Sequence, residues 1–313
     1  MRAVVTGGSG FIGTRLLEQL AAAGWEPPVV LSRDPQRVAK SLGRFQAAVH
    51  RWEPVSGPPP AQAFDGVTAV FHLAGESVAA GRWTKTRKER IRDSRVTGTR
   101  NLVAGLERLA KRPAVLISGS AVGYYGSRGD ERLAESSPPG HDFLAEVCVA
   151  WEEEARRAQA LGMRVALGRT GVVLGDGGAL KKMLLPFKLG LGGPLAGGRQ
   201  WMPWIHVDDE AGLLLFAAQT ASISGPFNAV APHPVTNKAL TRALAKQLHR
   251  PAFLPAPYFG LKLVLGEMAS MLVASQRVVP QAAEKAGYKF RYPELDAALA
   301  AILNRSAAER RAT

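Results

Sequence analysis

Two clusters of residues in this chain have the types and spacing for binding chemistry. The first is Gly7-Gly8-Ser9-Gly10-Phe11-Ile12-Gly13, which follows a short apolar run and opens an amphipathic stretch. Glycines at Gly7, Gly10 and Gly13 let the backbone turn tightly and approach a pyrophosphate, whose charge sits at the N-terminus of the following helix. The pattern predicts a dinucleotide site, with Phe11 and Ile12 beside the phosphates. The second cluster is Ser32-Arg33, with Arg37 one helical turn further on. An NAD site usually places an acid here for the ribose 2′-hydroxyl, whereas a guanidinium and a hydroxyl suit a 2′-phosphate. NADP is therefore expected over NAD, and Asp34 remains a group that could still accept from a ribose. His206, Asp208 and Asp209 resemble a metal cluster at first sight. The apolar alternation before them and the helical pattern after them argue instead for a strand end, with Asp208 or Asp209 capping a helix. No metal is expected.

These residues need rigid elements to hold them, and the sequence supplies an alternation. Apolar runs at Arg2–Thr6, Pro28–Ser32, Ala47–Trp52, Val67–Leu73, Ala114–Ser118 and Met163–Leu167 are separated by helical patterns at Thr14–Ala23, Pro35–Leu42, Arg90–Ala110 and Phe143–Leu161. Strands alternating with helices imply an α/β fold, a Rossmann-type doubly wound parallel sheet covered on both faces. Its ligand crevice lies at the carboxyl ends of the strands, where Trp52 and Ser118 end two of the apolar runs and are expected cofactor contacts. After about Gly171 the texture turns rich in Gly and Pro, with Trp201, Met202 and Trp204 as cleft wall or inter-domain core. From Leu240 helical patterns dominate, with Pro255, Pro257 and Pro280 as breaks. The expected division is a Rossmann domain over 1–171, a smaller, mainly helical substrate region over 172–303, and a tail over 304–313.

Composition narrows the class. The 313 residues are 46% hydrophobic, and the mean hydropathy of −0.03 is that of a globular chain rather than a disordered or fibrous one. A single cysteine, Cys148, excludes an intrachain disulfide framework and a multi-thiolate metal site. The opening MRAVVTGGSG runs directly into a strand and a glycine loop, and the longest uncharged run, Ala211 to Asn237, is broken by Gly225, Pro226, Pro232 and Pro234, so no segment is expected to span a bilayer. A cytoplasmic protein with no membrane partner is expected. The formal net charge is +14, and eleven Lys or Arg against three acids between Arg82 and Arg112 account for +8 of it. This stretch has only Trp83 as an interleaved aromatic, so a nucleic-acid partner is not expected. The surplus reads as a field favouring an anionic cofactor and an anionic or polar small-molecule substrate.

The motifs TGGSGFIG, SRD, HLAGE, SGSAVGYYG and WIHVDD resemble the extended short-chain dehydrogenase/reductase superfamily. LGLGGPLAGGRQWMPWIHVDD is similar to an atypical, NAD-dependent-epimerase-like subgroup of unknown substrate. VVPQAAEKAGYKFRYPELDAAL looks like the small C-terminal domain of unknown function that ends its members. In active superfamily members a Ser holds the substrate oxygen, a Tyr in Y-x-x-x-K exchanges the proton, the Lys anchors the nicotinamide ribose, and an upstream Asn completes a relay. The resemblance aligns Ser120 with that Ser. It places Leu144 at the Tyr position, Cys148 at the Lys position and Arg95 where the Asn is expected. Leucine moves no proton, and a neutral thiol does not replace an ammonium.

Other residues offer partial substitutes. Tyr124 or Tyr125 could present a phenol to the nicotinamide, or both could pack at the domain junction. Arg95 could bring fixed charge to a developing oxyanion, or be one more exposed arginine. Cys148 could be a reactive thiol, or a small buried hydrophobe. The resemblance also implies that Leu73, Ala74, Gly75 and Glu76 run beside the cofactor, while His72, which precedes them, is expected to be structural. The resemblance implies an NADP-dependent oxidoreductase or epimerase-like enzyme, with homodimerisation through helices of the Arg90–Ala110 kind. Leu144 and Cys148 favour the alternative, a non-catalytic NADP-binding redox sensor or scaffold.

Overall fold

Seven short runs, most of them largely buried and several rich in Val, Ile and Leu, pair into one parallel sheet. In the computed structural model, which describes residues 1–311 and the side chains of 1–304, they are Ala3–Thr6 (β1), Val29–Ser32 (β2), Ala48–Arg51 (β3), Ala69–His72 (β4), Val115–Ala121 (β5), Arg164–Thr170 (β6) and Gly225–Ala229 (β7). Their order is β7-β6-β5-β4-β1-β2-β3, with every pairing parallel. The direction of winding reverses between β1 and β4, which opens a crevice at their carboxyl ends. Adjacent residues show why both faces are covered. Val5 packs with Leu16, Leu17 and Leu20 of helix Phe11–Ala22 (α1), while Val4 packs with Leu102 and Leu106 on the opposite face. The crossovers that follow are Pro35–Ser41 (α2), Lys85–Glu107 (α3) and Phe143–Arg156 (α4).

The expected division at residue 171 does not hold. After Val172–Leu174 and Gly178–Lys188 (α5), the chain returns through Trp204–His206 and Val207–Gln219 (α6) to β7, so the sheet reclaims residues 207–229. Leu213 and Leu214 of α6 join the same core as Leu16 and Leu17 of α1. β7 begins Gly225-Pro226 and lacks an apolar run, which hid it; at the sheet edge a proline costs no ladder hydrogen bond.

A separate core built on Leu174, Leu180, Phe187, Trp204, Leu244 and Leu299 supports the smaller region. Its helices are Asn237–Leu248 (α7), Tyr258–Leu265 (α8), Ala269–Val273 (α9), Gln281–Lys285 (α10) and Leu295–Arg311 (α11). Pro257 and Pro280 stand immediately before α8 and α10, so they start helices rather than break them. The last helix continues beyond Leu303; Ala312 and Thr313, the end of the expected tail, lie outside the described residues. Among the described residues no helix is long and apolar enough to cross a membrane.

Neither aspartate caps α6. Nδ1 of His206 accepts from the Asp208 N–H at 3.0 Å, and Asp208 and Asp209 occupy the first turn. Asp208 pairs with Arg15 at 2.8 Å. The buried Asp209 carboxylate accepts from the backbone N–H groups of Arg291 (2.7 Å) and Tyr292 (2.8 Å), clasping the C-terminal segment to α6.

Candidate functional site

The glycine loop forms a cradle that side chains would fill. Gly7 has φ +72°, and a Cβ there would lie 3.0 Å from the backbone of Leu73 and Ala74. A Cβ on Gly13 would lie 2.2 Å from the Gly7 carbonyl oxygen, so α1 starts against the loop only because position 13 has no side chain. Gly10 is the N-cap residue; it offers no side-chain cap, and the first turn carries no acid. The helix terminus is left for an anionic ligand. Phe11 packs its ring beneath the turn Gly175–Gly178, where a Cβ on Gly175 would come within 2.5 Å of it.

Beside the loop, Thr6 fixes the segment that leaves β4. Its Oγ1 accepts from the N–H groups of Leu73 and Ala74, both at 3.1 Å. Its one proton is then available to Nδ1 of His72 (2.7 Å), and Nε2 of His72 donates to Thr99 (2.9 Å). Burial pushes the His72 imidazole down to about 4, so it is neutral and structural.

At the far end of the crevice, Ser32 Oγ accepts from the Asp34 N–H, and Asp34 Oδ1 accepts from the Arg37 N–H, each at 3.1 Å. Asp34 is thereby the N-cap of α2, while Arg33 and Arg37 stay exposed. Arg33 lines a cleft of about 560 Å³ with Glu53, Ala74, Gly75, Glu76, Arg90 and Asp93. Of the basic stretch, Arg90 faces this cleft, Arg87 pairs with Glu76 (2.7 Å), Lys88 with Glu267 (2.8 Å) and Arg100 with Glu154 (2.7 Å); Arg92, Arg108, Lys111 and Arg112 are exposed. Trp52 and Ser118 are corrected by burial. The Trp52 ring lies in the core with its indole N–H donated to Gly57 O (2.9 Å), and Ser118 is fully buried within β5. Neither presents a side chain to the cleft.

The end of β5 meets α4 where proton chemistry was expected. Leu144 packs against Gly123, 3.3 Å from where its Cβ would be, and the Cys148 sulfur follows at 3.9 Å. Burial pushes the Cys148 thiol up to about 12, so it is a neutral, packed group. Arg95 is turned inward. It donates to the carbonyls of Glu76 (3.0 Å) and Ile91 (3.1 Å), lies over the Trp151 ring, and burial draws its guanidinium below the ordinary arginine value.

Sequence reasoning missed the group that organises this end. Ser120 Oγ donates to Glu152 Oε1 at 2.8 Å. The fully buried Glu152 carboxylate also accepts from Arg169 Nε (2.8 Å) and Nη2 (3.0 Å), and from Arg156 (2.8 Å). Arg169 Nη1 reaches the Tyr125 hydroxyl (3.0 Å), which donates to Asn228 Oδ1 (2.6 Å). Burial opposes charge on Arg169, but the bonds to Glu152 and Tyr125 hold it above its ordinary value. Tyr125 is fully buried and pushed up to about 12, mainly by that burial, which corrects the expectation that it presents a phenol to a ligand. Tyr124 stacks on Arg169, whose Cζ is 3.4 Å from the ring centroid, and its hydroxyl makes no hydrogen bond among the described residues. The network reaches the C-terminal segment through Asn228 Nδ2 to Val279 O (2.9 Å). Glu135 Oε1 accepts from the N–H groups of Asn228 and Ala282, both at 3.0 Å. Glu152 continues the Leu144, Cys148 spacing by another four residues, a signal masked by its neighbours Glu153 and Glu154.

Residues 3–231 match the model of the NAD dependent epimerase/dehydratase family, and residues 256–302 match a domain of unknown function, DUF1731. The epimerase family protein YfhF of Bacillus subtilis is 37% identical over 304 residues, covering 97% of this chain and 98% of that protein. The crystal structure of human epimerase family protein SDR39U1 (isoform 2) with NADPH superposes with a TM-score of 0.86 at 34% identity, over 97% of this chain and 99% of that one. A UDP-glucose 4-epimerase from Thermotoga maritima, at 17% identity and a TM-score of 0.80 over 99% of each chain, shares the fold.

Proposed function

The chain belongs to the NAD-dependent epimerase/dehydratase family, and from that premise we propose that it is an NADP(H)-binding, epimerase-like oxidoreductase that exchanges protons without a tyrosine–lysine pair. The observation that carries this reading is the α4 stripe Leu144, Cys148, Glu152, which faces Gly123 and Ser120 with two groups that move no proton and one saturated carboxylate. NADP(H), when bound, supplies the hydride chemistry. Gly7, Gly10 and Gly13 hold its pyrophosphate, and Arg33 and Arg37 take the 2′-phosphate, consistent with the NADPH bound by the human relative. The chain segment Leu73–Glu76, fixed by Thr6, lines the path between these ends. Arg95 holds a fixed positive charge beneath that segment, and Arg90 beside the cleft draws in an anionic or polar small molecule.

Because Ser120 donates its proton to Glu152, it offers a substrate lone pairs only. Tyr124 is the phenol left free to donate a proton. Tyr124→Phe lowers turnover of NADPH with an accepted carbonyl substrate at least about a hundredfold while leaving NADPH affinity unchanged. Unchanged turnover refutes its role. The same commitment of Ser120 and Tyr125 favours a second reading, a non-catalytic NADP(H)-binding protein. Tight NADPH binding with no hydride turnover across a broad carbonyl panel would establish it in place of the first.

A further inference from the structure

Helix α8 buries none of its residues: Phe259 is 76% exposed, Leu263 75% and Val264 67%. Leu185, Leu189, Leu191 and Phe253 are also more than half exposed. Backbone hydrogen bonds place these residues on one stretch of surface. The loop after α5 is stitched to the segment leading into α8 by Leu254 N to Gly192 O (3.2 Å) and Ala196 N to Ala256 O (2.9 Å). Both helices also meet the loop that follows the Glu76 wall of the cleft, through Lys182 to Ala79 O (2.8 Å) and Arg82 to the carbonyls of Leu263 and Val264. An exposed apolar area of this kind marks an interaction surface.

Charge identifies the occupant. Residues 177–207 and 211–266 contain nine Lys or Arg and no Asp or Glu. Lys181, Lys188 and Lys262 are exposed within α5 and α8 themselves. A second copy of this chain would bring like charges together across such a face. We propose that the α5–α8 face docks on the surface of an anionic lipid bilayer, with Leu185, Leu189, Phe259 and Leu263 entering the headgroup boundary and Lys181, Lys188 and Lys262 meeting lipid phosphates. A helix that lies on a bilayer needs no spanning length, so the membrane partner excluded at the level of sequence is restored in this form. The inference is independent of the cofactor reading.

The test is co-sedimentation of the full chain with vesicles of phosphatidylcholine alone or mixed with phosphatidylglycerol. The chain pellets with the mixed vesicles, and at least about tenfold less with phosphatidylcholine alone or at high salt. Phe259→Glu with Leu263→Glu abolishes pelleting. Lys181→Gln, Lys188→Gln and Lys262→Gln together weaken it about a hundredfold, and both variants keep the parent melting midpoint because the sites are exposed. Three results overturn the proposal: no pelleting with the mixed vesicles, pelleting indifferent to both variants, or a dimer by light scattering that the double glutamate variant splits while no vesicle is bound.

Discussion

Glu210 gives the most quantitative prediction. It sits in the first turn of α6, 1% exposed, with Oε1 accepting from Thr170 Oγ1 at 2.8 Å and Oε2 without a hydrogen-bond partner. Burial pushes the carboxyl from an ordinary 4.5 up to about 8, so the folded protein holds it neutral at pH 7. The unfolded chain gives up the proton as pH passes 4.5, while the folded chain keeps it until about 8. Stability fully present below the lower value is therefore lost as pH rises through the upper one. The gap corresponds to about 4 to 5 kcal/mol. Glu210→Gln keeps the shape and the acceptor for Thr170 but cannot ionise. Urea unfolding followed by tryptophan fluorescence at pH 5, 6.5 and 8.5 should show the parent losing stability with pH more steeply than the variant. The variant should be the more stable at pH 8.5 and differ little at pH 5. Parallel pH profiles for the two proteins would refute the assignment of a buried neutral carboxyl.

Two further outcomes follow from the site. Arg33→Ala should weaken NADPH binding about tenfold or more while leaving NADH affinity nearly unchanged, measured by fluorescence titration with both cofactors; an unaltered preference removes Arg33 from the 2′-phosphate site. Glu152→Ala strands the buried Arg169 and should cost about 3 to 5 kcal/mol in denaturant unfolding, whereas Glu152→Gln keeps part of the network and costs less. Equal losses for the two would show that the carboxylate's charge and geometry contribute nothing beyond volume.

What the sequence revealed, and what it hid, divides along physical lines. Strands β1 to β6 and the glycine loop were legible because buried parallel strands read as apolar runs and a steric cradle requires glycine. The Leu144 and Cys148 positions stood out because the resemblance aligns them with the Tyr and Lys of the motif, and in the structure both side chains pack against Gly123. β7 was not, since an edge strand led by Gly225-Pro226 carries no such signature. The capping role of His206 was hidden because the residue types around it name two better caps. The largest omission was Glu152 and Arg169. A charged residue that is buried by a partner from another element looks, in one dimension, like any solvated charge.

The stitching of the C-terminal segment bears on how this architecture can be cut or recombined. Asp209, Asn228 and Glu135, all within the part of the chain that builds or borders the sheet, use their side chains to hold backbone groups at Val279, Ala282, Arg291 and Tyr292. The region matching DUF1731 is thus wired residue by residue into its host and is not a transferable module. A truncation before residue 256 would leave a buried aspartate and a buried asparagine without their backbone partners, and a graft onto another Rossmann domain would need those three anchors carried with it.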